Sequence, residues 1–234
     1  MQNEDLKTIT AAVTPEYIKK TLKFNGSEVV RINLKYPGIK ISPAGNFNKS
    51  EKKINNYYDL TIRSFIKYCE KILYKNAAPA FAAHQKSGGG FKPFGAVITF
   101  ETAYNRQDFL SIYLDINIYF GKGRGNAIRK AQIWKIDDGE LLPPERFIKF
   151  TRPVKIKICG HICGIIAKQI ENGGERCIKS DMPSVCRDVY KYLDLKNFYP
   201  GETGYTFFFP QGTIAPPENG IVSFAVPEKI IRGG

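Results

Sequence analysis

From Leu110 to Phe120 apolar and polar residues alternate almost without interruption. Leu110, Ile112, Leu114, Ile116, Ile118 and Phe120 fall in one set, and Tyr113, Asp115, Asn117 and Tyr119 in the other. Successive side chains of a strand point to opposite faces, so this period of two predicts a strand with the first set in the core. An apolar run at 96–104 precedes it across the polar turn Asn105-Arg106-Gln107-Asp108. Another run at 127–136 follows it across a glycine-rich turn at 121–125 and closes at Asp137-Asp138-Gly139. Three runs joined by short turns predict an antiparallel meander.

Upstream, Leu22 and Phe24 alternate with Thr21, Lys23 and Asn25, and a run at 29–36 leads to Pro37-Gly38, so two more strands and a turn are expected there. At Asn48 the period changes. Ile54, Tyr58, Ile62, Phe65, Cys69, Ile72 and Leu73 recur at helical spacing behind an Asn48/Glu51 capping box, predicting a helix of about six or seven turns that ends before Gly88-Gly89-Gly90. Val154, Ile158, Ile162, Ile165 and Gln169 mark another helix, ended by Asn172-Gly173-Gly174, and Pro183 opens a further one with Val185, Val189 and Tyr192 or Leu193 inward. Strands return at 205–209 and 221–226, on either side of Pro216-Pro217. No composition break or repeat divides the chain. The expectation is one soluble α+β domain over 1–234: an antiparallel sheet packed by one long helix and two or three shorter ones, with the end strands pairing onto the meander.

Composition leaves this picture intact. The chain has 43% hydrophobic and 24% charged residues, the balance of a globular protein. No run of about 18 apolar residues occurs, and the opening MQNEDLKTIT carries Glu4 and Asp5 where an export signal carries lysines. It reads as cytoplasmic as it stands, and as extracytoplasmic if a signal or anchor precedes it. Five cysteines (Cys69, Cys159, Cys163, Cys177, Cys186) form no dense disulfide framework and suit a reducing compartment. The net charge of +13 attracts polyanions and identifies none of them. Ten Lys or Arg face four acids between Lys122 and Lys157, but no nucleic-acid motif accompanies them, so a basic nucleic-acid binder is only an alternative.

The order of signals is recognisable. INLKYPGIKI at 32–41, KKINNYY opening the long helix, the meander from Leu110 to Leu142, and FYPGETGYTFFFPQGTIAPPENGIVSFAVP at the end together resemble one domain family. It is the domain shared by the extracytoplasmic part of the anti-sigma factor RsiV and the non-catalytic N-terminal part of the peptidoglycan deacetylase PdaC. The resemblance is clearest over 32–226. It implies a recognition module near the cell envelope, since the domain senses lysozyme in RsiV and accompanies a wall-modifying catalytic domain in PdaC. A charge of +13 disfavours a basic partner such as lysozyme at long range. Where the family commonly has a Gly-Gly-Ala-His-Gly turn, this chain has Gly121-Lys122-Gly123-Arg124-Gly125, so no role of that histidine carries over to Arg124.

Candidate chemistry is sparse. The glycine-rich turn precedes a strand, whereas a phosphate cradle opens a helix, so it reads as a hairpin turn with two solvated cations. His161 lies between Cys159 and Cys163, which share a helical face that the imidazole leaves, so a thiol–imidazole dyad is disfavoured. Cys159, Cys163, Cys177 and Cys186 are an alternative zinc set whose spacings match no zinc knuckle. Asp115, with Glu101 across the ladder, would serve an alternative glycan hydrolase. Tyr113, Asp115, Asn117 and Tyr119 alternate rings with short polar groups, a face that suits a sugar, and Arg124, Arg129 and Lys130 lie beside it in sequence. These seven residues are the expected ligand-binding set. The expected function is a non-catalytic binding domain for an anionic envelope polymer or a protein partner, with no catalytic residues, metal or cofactor.

Overall fold

The computed structural model describes residues 9–43, 47–106, 108–121, 123, 125–172 and 181–232. A long hairpin comes first: β1 (Thr10–Phe24) and β2 (Ser27–Ser42) run antiparallel about Asn25-Gly26. Both turn residues have positive φ, 49° and 81°, which an Asn-Gly pair adopts readily in a two-residue hairpin turn. β2 runs straight through the expected break at Pro37-Gly38, with Pro37 opposite Pro15. Proline is tolerated because β3 pairs with β2 only over Val30–Leu34, so beyond Leu34 no strand needs the missing N–H.

Side chains of the long helix occupy that vacant edge instead. Asn55 accepts from the Ile39 N–H and donates to the Ile39 carbonyl, both at 2.8 Å, and Glu51 accepts from the Ile41 N–H at 2.9 Å. Glu51 therefore does not close the expected capping box, and Phe47 at the N-cap makes no side-chain cap bond. The helix is also longer than predicted. α1 (Asn48–Tyr68) passes through a π-helical stretch, Cys69–Leu73, into α2 (Tyr74–Lys86). Ile54, Tyr58, Ile62, Cys69 and Leu73 are buried as expected and Ala77 and Phe81 continue the stripe, whereas Ile72 is 48% exposed.

This rod carries the chain across the sheet, so that β3 (Phe94–Arg106) lies parallel to β2 in an otherwise antiparallel sheet. β4 (Phe109–Tyr119) and β5 (Asn126–Lys135) complete the predicted meander, giving the order β1-β2-β3-β4-β5. Leu110, Ile112 and Leu114 are fully buried on the helix side, and Trp134 donates to the Tyr58 hydroxyl at 2.9 Å within the same core.

The C-terminal strands do not join the meander. β6 (Phe198–Gly201), β7 (Gly204–Phe209) and β8 (Val222–Val226) form a separate three-stranded sheet. Phe198, Phe207 and Phe209 share a second core with Ile133 of β5, on the opposite side of the meander from α1. α3 (Arg152–Glu171) and α4 (Met182–Tyr192) supply Ile158, Ile162, Ile166, Val185 and Val189 to this core, and α5 (Glu228–Arg232) closes the chain. Ile166 takes the inward place expected of Gln169, which is exposed. Asp181 caps α4 by accepting from the Ser184 N–H at 3.0 Å. The architecture is a single α+β domain with a core on each side of the meander. Among the described residues no helix is long and apolar enough to cross a membrane.

Two substitutions test these contacts in equilibrium urea unfolding followed by Trp134 fluorescence. Leu114→Ala should cost about 2–5 kcal/mol by opening a cavity. Asn55→Ala should cost about 1–3 kcal/mol by unpairing the Ile39 N–H and carbonyl. A change below about 0.5 kcal/mol at Leu114 would reverse the faces of β4.

Candidate functional site

Tyr113, Asp115, Asn117 and Tyr119 lie on one face of β4, as the alternation predicts, but that face is largely a seam. Arg129 stands opposite Asp115 on β5. Its Nε and Nη2 donate to Asp115 Oδ1 and Oδ2, each at 2.7 Å, and its Nη1 donates to Ser223 Oγ of β8 at 2.8 Å. The guanidinium carbon is 4.0 Å from the Tyr113 ring centroid, and Tyr113 stacks on Tyr199 of β6 at 4.9 Å. Burial alone would lower the Arg129 pKa, but the hydrogen bonds and charge of Asp115 outweigh it and hold it raised. Burial raises Tyr113 and Tyr199, with Arg129 pulling both partly back. The arrangement is a bidentate, ring-covered ion pair linking the two sheets.

The six expected binding residues that are described therefore do not converge. Tyr113, Asp115 and Arg129 are engaged inside the seam. Asn117 is half-buried farther along β4, and Tyr119, at its end, is 38% exposed. Lys130 pairs with Leu114 and so projects from the opposite face of the sheet. Arg124 lies outside the described residues. Glu101 is exposed opposite Tyr113, two pairs along from Asp115, whose two oxygens both accept from Arg129.

A cleft of about 500 Å³ opens instead at the other end of the seam, between the β3–β4 turn, the β6–β7 turn and α5. Tyr104 and Phe109 flank the β3–β4 turn and stack at 4.5 Å with 16° between their planes, and Phe147 meets Phe109 edge-on at 5.2 Å. Glu202 on the β6–β7 turn pairs with Arg106 at 2.7 Å, and Glu228 pairs with Arg232 of the same short helix at 2.5 Å. The Tyr205 hydroxyl donates to Glu228 Oε1 at 3.3 Å; burial raises its pKa and Arg232 draws it partly down. Stacked rings beside two acid–base pairs offer an apolar plate and several hydrogen-bonding groups to one small ligand. Sequence reasoning missed this cleft, because its residues come from segments about a hundred positions apart. The one local signal was the pair of aromatics bracketing the polar turn at 105–108.

The cysteines also depart from expectation. Cys163 of α3 and Cys186 of α4 form a disulfide with their Cα atoms 5.8 Å apart, and Cys177 lies outside the described residues. Cys159 is buried, and that burial pushes its thiol up to about 11, whereas a zinc ligand needs a thiolate. The alternative four-cysteine set is not assembled. The helices α3 and α4 lie side by side, which puts Cys163 against Cys186 despite their separation of 23 in sequence. His84 Nδ1 lies 3.1 Å from the Ala80 carbonyl, as a helical side chain at i and i+4 does.

The seam makes a quantitative prediction. The Arg129 and Asp115 side chains are 11% and 26% exposed, so Arg129→Ala should destabilise by about 3 kcal/mol, leaving a carboxylate half-buried without its partner. Arg129→Met with Asp115→Leu should recover most of that loss in thermal melts. A loss in the double variant equal to the sum of the losses from Arg129→Met and Asp115→Leu alone would show that the pair is not coupled.

Comparison with known proteins agrees with this architecture. Residues 25–127 match the family model described as Deacetylase PdaC. No curated protein matches the chain. Among solved structures, a member of the DUF3298 family from Bacteroides fragilis aligns with a TM-score of 0.62 at 15% identity, over 95% of this chain and 92% of that one. A DUF3298 family protein from Pseudomonas aeruginosa aligns with a TM-score of 0.56 at 9% identity, over 96% and 93%. The resemblance to the domain family shared by RsiV and PdaC therefore holds: residues 25–127 carry the PdaC-type sequence, and the chain as a whole has the DUF3298 fold.

Proposed function

We propose that this chain is a non-catalytic recognition domain of the cell envelope, and that its cleft takes a sugar unit of an envelope polymer. The observation that carries the reading is the stacked Tyr104–Phe109 plate facing Glu202, Glu228 and Arg232 across an open cleft. A sugar ring stacks its C–H face on such a plate while its hydroxyls meet carboxylate and guanidinium groups. The Cys163–Cys186 disulfide supports an oxidising, extracytoplasmic setting. Against the glycan hydrolase, both carboxylate oxygens of Asp115 accept from Arg129 and are turned away from any substrate. Against a nucleic-acid groove, Arg129 and Lys130 project from opposite faces of the sheet, and Lys135 is paired with Asp137 and Asp138.

Co-sedimentation with purified peptidoglycan tests this reading. The unmutated chain should sediment at both low and high salt, because stacking and hydrogen bonding to a neutral sugar are little screened. Tyr104→Ala and Glu228→Gln should each weaken binding about tenfold, the scale of one stacked ring or one strong hydrogen bond. Tyr119→Ala, away from the cleft, should leave it unchanged. Failure to sediment at any salt, or binding that disappears with salt and ignores the cleft variants, would refute the sugar site.

A further inference from the structure

β5 is an edge strand, and both of its ends are closed while its middle is open. At one end Gln211 imitates a neighbouring strand, its Oε1 accepting from the Ala127 N–H at 2.7 Å and its Nε2 donating to the Gly125 carbonyl at 3.1 Å. At the other end the Leu142 N–H donates to the Ile133 carbonyl at 2.7 Å and the Lys135 N–H donates to the Glu140 carbonyl at 2.8 Å. Ala127, Ile133 and Lys135 thus turn their backbone groups outward, and the two-residue period of the strand turns those of Arg129 and Ala131 outward as well. No backbone hydrogen bond to another strand or loop meets Arg129 or Ala131 on that side among the described residues.

An apolar groove runs beside this window, on the helix-facing side. It has a volume of about 440 Å³ and lies between Tyr57, Leu60 and Phe65 of α1 and Ile116 and Lys130 of the sheet. Leu60 is 64% exposed and Ile128, the next residue on the same face of β5, is 50% exposed. Lys130 makes no ion pair among the described residues, and no acid lines the groove. An edge with open hydrogen-bonding groups, a groove for alternate side chains and one unmatched cation together meet the requirements of strand addition.

We infer that this window binds an extended segment of a partner protein as a sixth strand, with apolar and acidic residues alternating on the side facing α1. Its backbone would pair with Arg129 and Ala131, its apolar side chains would cover Leu60 and Ile128, and a carboxylate would meet Lys130. The charge selects a foreign acidic segment over a second copy. Antiparallel self-pairing centred on Lys130 would set two lysines directly opposite each other, and like charges so placed repel.

The test uses the full chain and a blocked peptide of about eight residues, an ordinary strand length, with Glu and Val taking turns at every second position so that both fall on one face and Thr at the positions between, and a Lys-for-Glu peptide as control. Fluorescence anisotropy should show the acidic peptide binding at least about tenfold more tightly, a difference of about 1.4 kcal/mol. Lys130→Glu should reverse that preference. Leu60→Asp, at a position 64% exposed, should leave the thermal melt unchanged and weaken binding of the acidic peptide about tenfold. Bound peptide should slow amide exchange at Arg129 and Ala131. Absence of binding, equal binding of both peptides, indifference to both substitutions, or unchanged exchange at those two amides would overturn the proposal. So would sedimentation of the free chain as a dimer with these amides already protected, which would make a second copy the occupant.

Discussion

β4 is covered on both faces, and each face has a different partner. On one side Leu110, Ile112 and Leu114 are fully buried under α1; on the other Ser111 is fully buried and Tyr113 and Asp115 lie under the second sheet. A central strand in this position admits no slip of register, because a shift of one residue would put Asp115 into the helix-side core and Leu114 against Arg129. The parallel join of β2 to β3, the placement of α1 and the docking of the C-terminal sheet all refer to this strand. The Arg129–Asp115 pair suits the seam because a bidentate guanidinium fixes orientation as well as distance. Packing of rings alone would leave the second sheet freer to slide.

A second theme is the use of polar side chains in place of strands. Asn55 and Glu51 from α1 pair with β2 beyond the reach of β3, and Gln211 pairs with the start of β5. An amide side chain offers one donor and one acceptor with nearly the spacing of a peptide group, so it satisfies an edge without extending the sheet. The Ile-Asn at the helix start therefore has a structural reason: the isoleucine enters the core, and Asn55 holds the edge that Pro37 leaves unpaired by any strand.

Much of this fold was legible in the sequence, and the parts that were not share a cause. The alternation along β4 and the helical stripe from Ile54 report burial directly, since period and face are local properties. Tyr113 and Asp115 read as an open, ligand-like face because aromatic and polar residues also compose a seam; only the register that sets Asp115 beside Arg129 distinguishes the two. Asn25 continues the alternation of Thr21 and Lys23 as a strand residue would, yet Asn25-Gly26 turns the first hairpin, and Pro37-Gly38 was a misleading turn signal. The helix was underestimated for a geometric reason. At about 3.6 residues per turn, Phe81 would fall about half a turn away from the side of Ile54. The wider π turn at Cys69–Leu73 takes up part of that offset and brings the later stripe back toward the sheet. The cleft stayed hidden because Tyr104, Phe147, Glu202 and Glu228 are brought together by tertiary structure alone.

The bridge between Cys163 and Cys186 changes what a break in the chain means. Every peptide bond between those two residues lies inside a covalent ring, so hydrolysis of any one of them opens the ring and leaves a single molecule. α3 and α4 would stay joined through sulfur, and neither could diffuse away. Wherever the bridge stays oxidised, that redundancy lets this half of the domain keep its parts together after a cut that would separate an unbridged pair of helices.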